Sequence, residues 1–130
     1  YTIMNEVSAR DIQVRNMQWF RGKALDTFGP LGPWIVTKDE TGDGNNLNVI
    51  SRVNGEVRQN SNTNDMIFDL ATVISVISEG FSLYPGDLIA TGTPEGVGFA
   101  MDPPRLMKVG EVVECEIENI GVLRNKVVAP

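Results

Sequence analysis

Hydrophobic and polar residues alternate in short runs along the chain, and these runs end at turn residues. Residues 47–53 partly alternate, meet Asn54-Gly55 and resume at 56–59. An Asn-Gly pair between two such runs favours a β-hairpin, because both residues tolerate the positive φ of a tight turn. Residues 111–118 alternate apolar and acidic side chains, which is typical of a strand with one buried face. We predict that residues 120–128 pair with that strand.

A single segment carries strong helical periodicity. Apolar residues recur between positions 70 and 77 at the three- and four-residue spacing that puts them on one helix face. Asp69 can cap the N-terminus and Gly80 can end the helix. The pattern predicts an amphipathic helix near 69–79 that packs on a sheet.

The remaining elements are shorter and less regular. Residues 2–7, 34–36 and 88–91 are strand candidates, whereas Gly-Pro pairs make residues 8–33 an irregular segment. These elements sum to about seven short strands and one helix, which predicts a mainly β fold.

Composition narrows the class of protein. The 130 residues suffice for one domain with its own core, and the 42% hydrophobic and 22% charged residues exclude disorder. The formal net charge of −6 opposes binding to nucleic acid or to an anionic membrane, since both ligands require basic surfaces. No apolar run reaches the roughly 18 residues of a membrane span. We therefore expect neither a nucleic-acid partner nor a membrane partner.

Cysteine and histidine content restrict the chemistry. The single cysteine, Cys115, cannot form an intrachain disulfide and has acidic neighbours that disfavour a thiolate. We interpret it as structural and expect a reducing, cytoplasmic location. Histidine is absent, so Ser-His-Asp catalysis, Cys-His catalysis and histidine-ligated zinc are excluded within this chain.

Three irregular segments hold the candidate functional residues. Glu6, Arg10 and Gln13 place a carboxylate, a cation and an amide close together, which suits a metal ion or an oxyanion. Lys23 follows Gly22 in a loop and offers a point charge with three donors. Taken alone, however, each group also fits a strand end with a surface ion pair or a solvated lysine, and spacing alone favours that interpretation.

The third segment is a glycine-rich turn over residues 90–98. Its glycines allow the backbone to approach a ligand, and Thr93 offers a hydroxyl. The turn lacks the Gly-Lys-Ser/Thr ending of a phosphate-binding loop. On its own it is also compatible with an ordinary connection.

In combination and in this order, the segments resemble the fumarylacetoacetate hydrolase family. The matching stretches are residues 6–13, 22–34, 53–59, 62–68 and 85–98, so the resemblance extends over essentially the whole chain. The bacterial acylpyruvase-like members are the most similar.

The resemblance implies a mixed β-roll or distorted barrel, with residues 1–130 forming the C-terminal portion of a single catalytic domain. It also implies an N-terminally incomplete chain, a homodimer or assembly with a missing N-terminal segment, and a divalent metal, Mg²⁺ or Mn²⁺. The expected activity is metal-dependent hydrolysis of a C–C bond in a small anionic 2-oxo or 1,3-diketo acid, such as an acylpyruvate or fumarylpyruvate. Decarboxylation, isomerisation and hydration of related 2-oxo acids are alternatives on the same scaffold.

The family's functional residues fall on five positions here. The resemblance places a metal ligand at Glu6 and substrate-binding groups at Arg10, Gln13, Lys23 and Thr93. Of these, Lys23, Gln13 and Thr93 are the expected catalytic residues, which hold the substrate carboxylate and the developing oxyanion.

Two departures from the family pattern favour a competing hypothesis. The acid at position 6 is usually Asp, and Glu is one methylene longer. The family's Glu-x-Glu metal pair does not precede Glu6; residues 114–118 have its spacing but are interpreted as the acidic face of a strand. A truncated, non-catalytic structural or interaction module therefore remains an alternative.

Overall fold

The computed structural model describes residues 1–129, apart from the side chain of Asn16. The larger of two antiparallel sheets has the strand order β4-β3-β5-β6. Its strands are β3 (Asn48–Val53), β4 (Glu56–Asn62), β5 (Val112–Ile117) and β6 (Gly121–Lys126). The smaller sheet pairs β1 (Ile3–Met4) with β2 (Leu31–Gly32) and contacts β5 and β6.

Three α-helices and three 3-10 turns connect these strands within the described residues. The helices are α1 (Arg10–Asn16), α2 (Lys38–Thr41) and α3 (Leu70–Ser78). The 3-10 turns are Trp19–Gly22, Thr63–Asp65 and Gly98–Ala100. In residues 1–129, no helix is both long enough and apolar enough to cross a bilayer.

The predicted hairpin is confirmed. Asn54 and Gly55 have φ values of 51° and 81°, and Val53 pairs directly with Glu56. A β-bulge interrupts the ladder, because Ser51 pairs with Gln59 whereas Arg52 pairs with Val57. One extra residue therefore lies on β4, and it shifts the pairing register of the two strands beyond the bulge.

The C-terminal strand pair is also confirmed. Strands β5 and β6 are antiparallel, with Cys115 opposite Leu123, and Asn119 forms the turn with φ 62°. Strand β3 lies between β4 and β5, so the Asn-Gly hairpin and the C-terminal hairpin join into one sheet.

The amphipathic helix forms where it is predicted, but its packing differs. Asp69 Oδ1 accepts a hydrogen bond from the Thr72 backbone N–H at 2.7 Å and caps α3. None of the helix residues is buried, and Ile74 and Val76 are 48% and 60% exposed. The expectation that this helix packs on the sheet is therefore wrong for the described residues.

Three local predictions are wrong. Residues 8–33 are not irregular throughout, since they contain α1. That helix has no side-chain cap and no clear apolar stripe, so the sequence carries little helical signal. Residues 34–36 and 88–91 are not strands. A strand requires a pairing partner, and the described chain offers none to residues 88–91.

A small core joins the two sheets. Ile3 is 1% exposed and packs with Val36, Ile120 and Leu123. Burial of such aliphatic side chains is the main favourable contribution to folding. This core fixes β1, and hence the segment that follows it, against the four-stranded sheet.

Candidate functional site

Glu6 and Lys23, which come from different segments, form an ion pair. Lys23 Nζ lies 2.6 Å from Glu6 Oε2. The side chains are 26% exposed for Lys23 and 37% for Glu6, so solvent or a ligand can reach both. A partly exposed pair of this kind contributes only about 0–1 kcal/mol to stability. Its significance is therefore the placement of a cation and a carboxylate at one accessible point.

A close backbone approach brings Lys23 to this position. The Ala9 backbone N–H donates to the Gly22 carbonyl oxygen at 2.8 Å. A Cβ atom on Gly22 would lie 2.9 Å from both Ala9 O and Gln13 Cβ, so only glycine fits without displacement. The chain before Lys23 is thus docked on the start of α1.

Arg10 and Gln13 lie one turn apart on α1 and are hydrogen-bonded. Arg10 Nη1 donates to Gln13 Oε1 at 2.6 Å. Gln13 is 3% exposed, and its Nε2 atom is buried with no hydrogen-bond partner. A buried donor without a partner costs about 1–3 kcal/mol. An anionic oxygen delivered by a ligand would remove that cost.

Thr93 is exposed on the loop before the third 3-10 turn, and its contacts are with β4. Gln59 Nε2 donates to Thr93 Oγ1 at 2.8 Å. The loop is linked to α1 through Phe99, because the Arg10 guanidinium lies 5.2 Å from the centre of that ring. Such cation–π contacts contribute about 0.5–1 kcal/mol at exposed sites.

The structure therefore arranges the five predicted residues in three places. Glu6 contacts Lys23, Arg10 contacts Gln13, and the Arg10–Phe99 contact connects α1 to the loop region of Thr93. Sequence reasoning missed Gln59, which contacts Thr93. Its signal was available, since Gln59 ends one of the matching stretches and is an amide on a predicted strand.

The described residues do not form a complete metal site. Within residues 1–129, no group of three or more Asp, Glu or Cys side chains is placed to hold an ion. Glu114 is ion-paired with Arg124, and Glu116 with Arg52. The acids of β5 thus form cross-strand ion pairs, and Glu6 offers a single hard oxygen ligand.

Cys115 has no catalytic setting. It is a free thiol on β5 and packs against the core between the sheets. Burial raises the pKa of the Cys115 thiol above its ordinary value. The protonated form dominates at neutral pH, and a protonated thiol is a poor nucleophile.

Comparison with known proteins identifies the class of protein. The sequence profile described as fumarylacetoacetate (FAA) hydrolase C-terminal matches residues 1–128. The chain belongs to the fumarylacetoacetate hydrolase family, and the mainly β fold class predicted from the sequence is confirmed.

Similar proteins are named for different activities. The mitochondrial oxaloacetate tautomerase Fahd2a of Rattus norvegicus is 53% identical over 129 residues, which are 98% of this chain and 41% of the relative. A fumarylacetoacetate hydrolase from Exiguobacterium antarcticum has a TM-score of 0.96 and 48% identity, covering 100% of this chain and 47% of the other. A 2-hydroxyhepta-2,4-diene-1,7-dioate isomerase from Mycobacterium marinum has a TM-score of 0.88 and 48% identity, covering 98% and 47%. The chain thus spans less than half the length of these relatives.

Proposed function

We propose that residues 1–130 form the C-terminal portion of the catalytic domain of an enzyme that acts on a small anionic 2-oxo acid. The reaction we favour is proton transfer at the carbon beside the oxo group, which is tautomerisation or isomerisation. Relatives named as an oxaloacetate tautomerase and a dioate isomerase are 53% and 48% identical to this chain. The substrates in both names can react through an enol or an enolate.

The unpaired Nε2 donor of Gln13 is the observation that carries the proposal. Its buried Nε2 donor lies on the same short helix as Arg10, and the start of that helix adjoins Lys23. A protein with a net charge of −6 needs such local positive charge to bind an anion. Arg10 and Gln13 would hold the substrate carboxylate.

Lys23 and Thr93 would act on the oxo oxygen. Tautomerisation moves a proton from the neighbouring carbon to the oxo oxygen; negative charge develops on that oxygen during the transfer, and preorganised donors stabilise it. Lys23 Nζ supplies a cationic donor, and the exposed Thr93 hydroxyl supplies a neutral one. Both groups can reach a ligand because neither side chain is buried.

A divalent cation, Mg²⁺ or Mn²⁺, belongs to this proposal through the family resemblance. Glu6 would provide one oxygen ligand, which hard cations accept. The described residues do not complete the ligand set, and the roles given to Lys23, Gln13 and Thr93 do not depend on the ion. Calorimetric titration tests it: we expect Mg²⁺ or Mn²⁺ to bind the wild type and to bind Glu6→Gln more weakly. If neither ion binds the wild type, Glu6 is not a metal ligand.

Hydrolytic C–C cleavage is the second candidate. The relative with a TM-score of 0.96 is named a fumarylacetoacetate hydrolase. In this reaction water adds to a carbonyl carbon, the C–C bond beside that carbon breaks, and the other fragment leaves as an enolate that picks up a proton, so the same donors would serve it. Decarboxylation and hydration are further reactions of the same chemical family. Parallel assays on oxaloacetate and on an acylpyruvate, with products identified by NMR, separate these reactions.

The decisive variant is Lys23→Met, with Lys126→Met as its matched control. Lys126 is an exposed lysine at the end of β6, with no ion pair described. We expect Lys23→Met to lower kcat/KM by about 10²-fold, the usual effect of losing one oxyanion donor, and Lys126→Met to leave it unchanged. Equal activity of both variants would contradict the role of Lys23. A wild type inactive on every 2-oxo acid tested would support the non-catalytic module.

Association with a second copy is also part of the proposal. Large apolar side chains are exposed, among them Ile67 at 92% and Phe81 at 73%. Extensive exposed apolar surface is typical of an interaction site. We expect a homodimer in analytical ultracentrifugation, and a stable monomer would contradict it. A cytoplasmic location stays a prediction, because the rat relative is named mitochondrial.

A further inference from the structure

The side-chain amide of Gln59 connects three groups. Its Nε2 atom donates to Thr93 Oγ1 and to the Pro94 carbonyl oxygen, at 2.8 Å each. Its Oε1 atom accepts from Ser51 Oγ at 2.8 Å. Both hydrogens of the Gln59 amide nitrogen therefore have acceptors within the chain.

These contacts fix the direction of every hydrogen bond. The Pro94 carbonyl can only accept, so the amide atom beside it must be the nitrogen. The two hydrogens of that nitrogen go to Pro94 O and Thr93 Oγ1, which makes the threonine hydroxyl an acceptor in this contact. Thr93 Oγ1 lies 3.5 Å from Pro94 O, beyond the normal length of an O–H···O bond. The Thr93 hydroxyl proton is thus left for a group outside the chain.

The β-bulge and a glycine hold this arrangement in place. The extra residue on β4, Arg58, lets Ser51 pair with Gln59, so their side chains meet on one face of the sheet. Gly96 presses the loop against the same strand, because a Cβ atom there would overlap the Arg58 carbonyl oxygen. Gly96 also has φ 97°, which favours glycine.

We propose that Gln59 is a positioning residue that makes the Thr93 hydroxyl a hydrogen-bond donor toward an anionic oxygen of the substrate. Ser51 assists by fixing the amide. This inference rests on the proposed function, since it assumes that Thr93 faces a 2-oxo acid. It goes beyond that function by assigning a role to two residues that do not themselves touch the ligand.

A double-mutant cycle with Gln59→Met and Thr93→Val tests the inference. Met keeps the volume of Gln but donates no hydrogen bond, so the threonine hydroxyl loses its preferred direction. We expect Gln59→Met to lower kcat/KM on oxaloacetate by about tenfold, the effect of losing one hydrogen bond of about 1.4 kcal/mol. In the Thr93→Val background, the same change should have no further effect. Gln18→Met is the matched control, because Gln18 is an exposed glutamine.

A pH profile of Gln59→Glu provides the second readout. An ionised carboxylate can only accept, so the Thr93 hydroxyl would donate to it and the direction of the hydrogen bond would be reversed. At lower pH the introduced carboxyl is protonated and can donate again. We expect activity relative to wild type to recover as the pH falls, and this recovery to disappear in the Thr93→Val background. If the introduced carboxylate acted only by repelling the anionic substrate, the recovery at low pH would also be seen in the Thr93→Val background. If Gln59→Met does not fold, this profile alone decides.

The outcomes separate the two proposals. Titration with oxalate, an unreactive mimic of a 2-oxo acid, measures binding without turnover. A wild type that neither binds oxalate nor converts any 2-oxo acid would overturn the proposed function, and this inference with it. A functional wild type with an unaffected Gln59→Met, or with additive effects in the cycle, would overturn the inference alone.

Discussion

Gly22→Ala probes how the chain holds Lys23. The added Cβ atom would lie 2.9 Å from Ala9 O, 2.9 Å from Gln13 Cβ and 3.2 Å from Gln13 N. Ordinary van der Waals contacts of a Cβ atom begin at about 3.4 Å, and the atoms it meets are backbone atoms and a Cβ, which no rotamer change can move away. The turn before Lys23 and the start of α1 must therefore separate.

This separation lowers the stability of the folded chain. Overpacking by one methyl group costs about 1–3 kcal/mol in a close-packed environment. Gly22 has no positive φ, so the loss comes from the overlap and not from backbone strain. We expect the free energy of unfolding of Gly22→Ala to fall within that range, and kcat/KM to fall as Lys23 moves.

Gly80→Ala is the matched control for this experiment. A Cβ atom on Gly80 meets nothing within 4 Å, and its φ is also not positive. Alanine there should leave stability unchanged or raise it by about 0.4–1 kcal/mol, because it restricts the unfolded chain. Urea denaturation followed by circular dichroism measures both variants. If Gly22→Ala proves as stable as Gly80→Ala, the close approach is not what positions Lys23.

Three further predictions concern the sheet and its surroundings. Ile3→Ala should destabilise the protein by about 2–5 kcal/mol in urea denaturation, because Ile3 is 1% exposed; a loss below 1 kcal/mol would contradict a core at β1. Burial raises the pKa of the Cys115 thiol above 9.0, so the thiol ionises at a lower pH in the unfolded chain than in the folded one. The free energy of unfolding should therefore decrease as the pH rises through 9, and the Cys115→Ala variant should lack this decrease. Hydrogen bonds from Arg105 lower the pKa of Glu56 below 4.5, so the pair stabilises the fold above that pH and its contribution is lost as the pH falls through the folded pKa. The stability difference between wild type and Arg105→Gln should therefore shrink in acid, and a constant difference would refute the assignment.

Sequence reasoning succeeded where local chemistry decides the structure. The Asn54-Gly55 turn and the alternation over residues 111–118 specify the strands of the larger sheet, because turn type and side-chain period act over a few residues. The N-cap Asp69 and the apolar spacing after it specify α3 in the same way. These elements form with the bounds predicted, to within two residues at most ends.

Sequence reasoning failed where distant contacts decide the structure. Helix α1 has no side-chain cap, and its start is held by a hydrogen bond between Ala9 and Gly22. The ion pair of Lys23 and Glu6 depends on the same docking. The Gln59–Thr93 hydrogen bond joins residues 34 positions apart. No local pattern encodes such distances, and only the resemblance to a family placed the polar residues in one site.

A crystal structure of the protein with oxalate tests the central claim most directly. We predict that one carboxylate of the oxalate accepts a hydrogen bond from Gln13 Nε2, and that an oxygen of the ligand lies within hydrogen-bond distance of Lys23 Nζ. Oxalate bound elsewhere at saturating concentration, with Gln13 Nε2 still without a partner and Lys23 still paired only with Glu6, would contradict the proposed roles of Gln13 and Lys23.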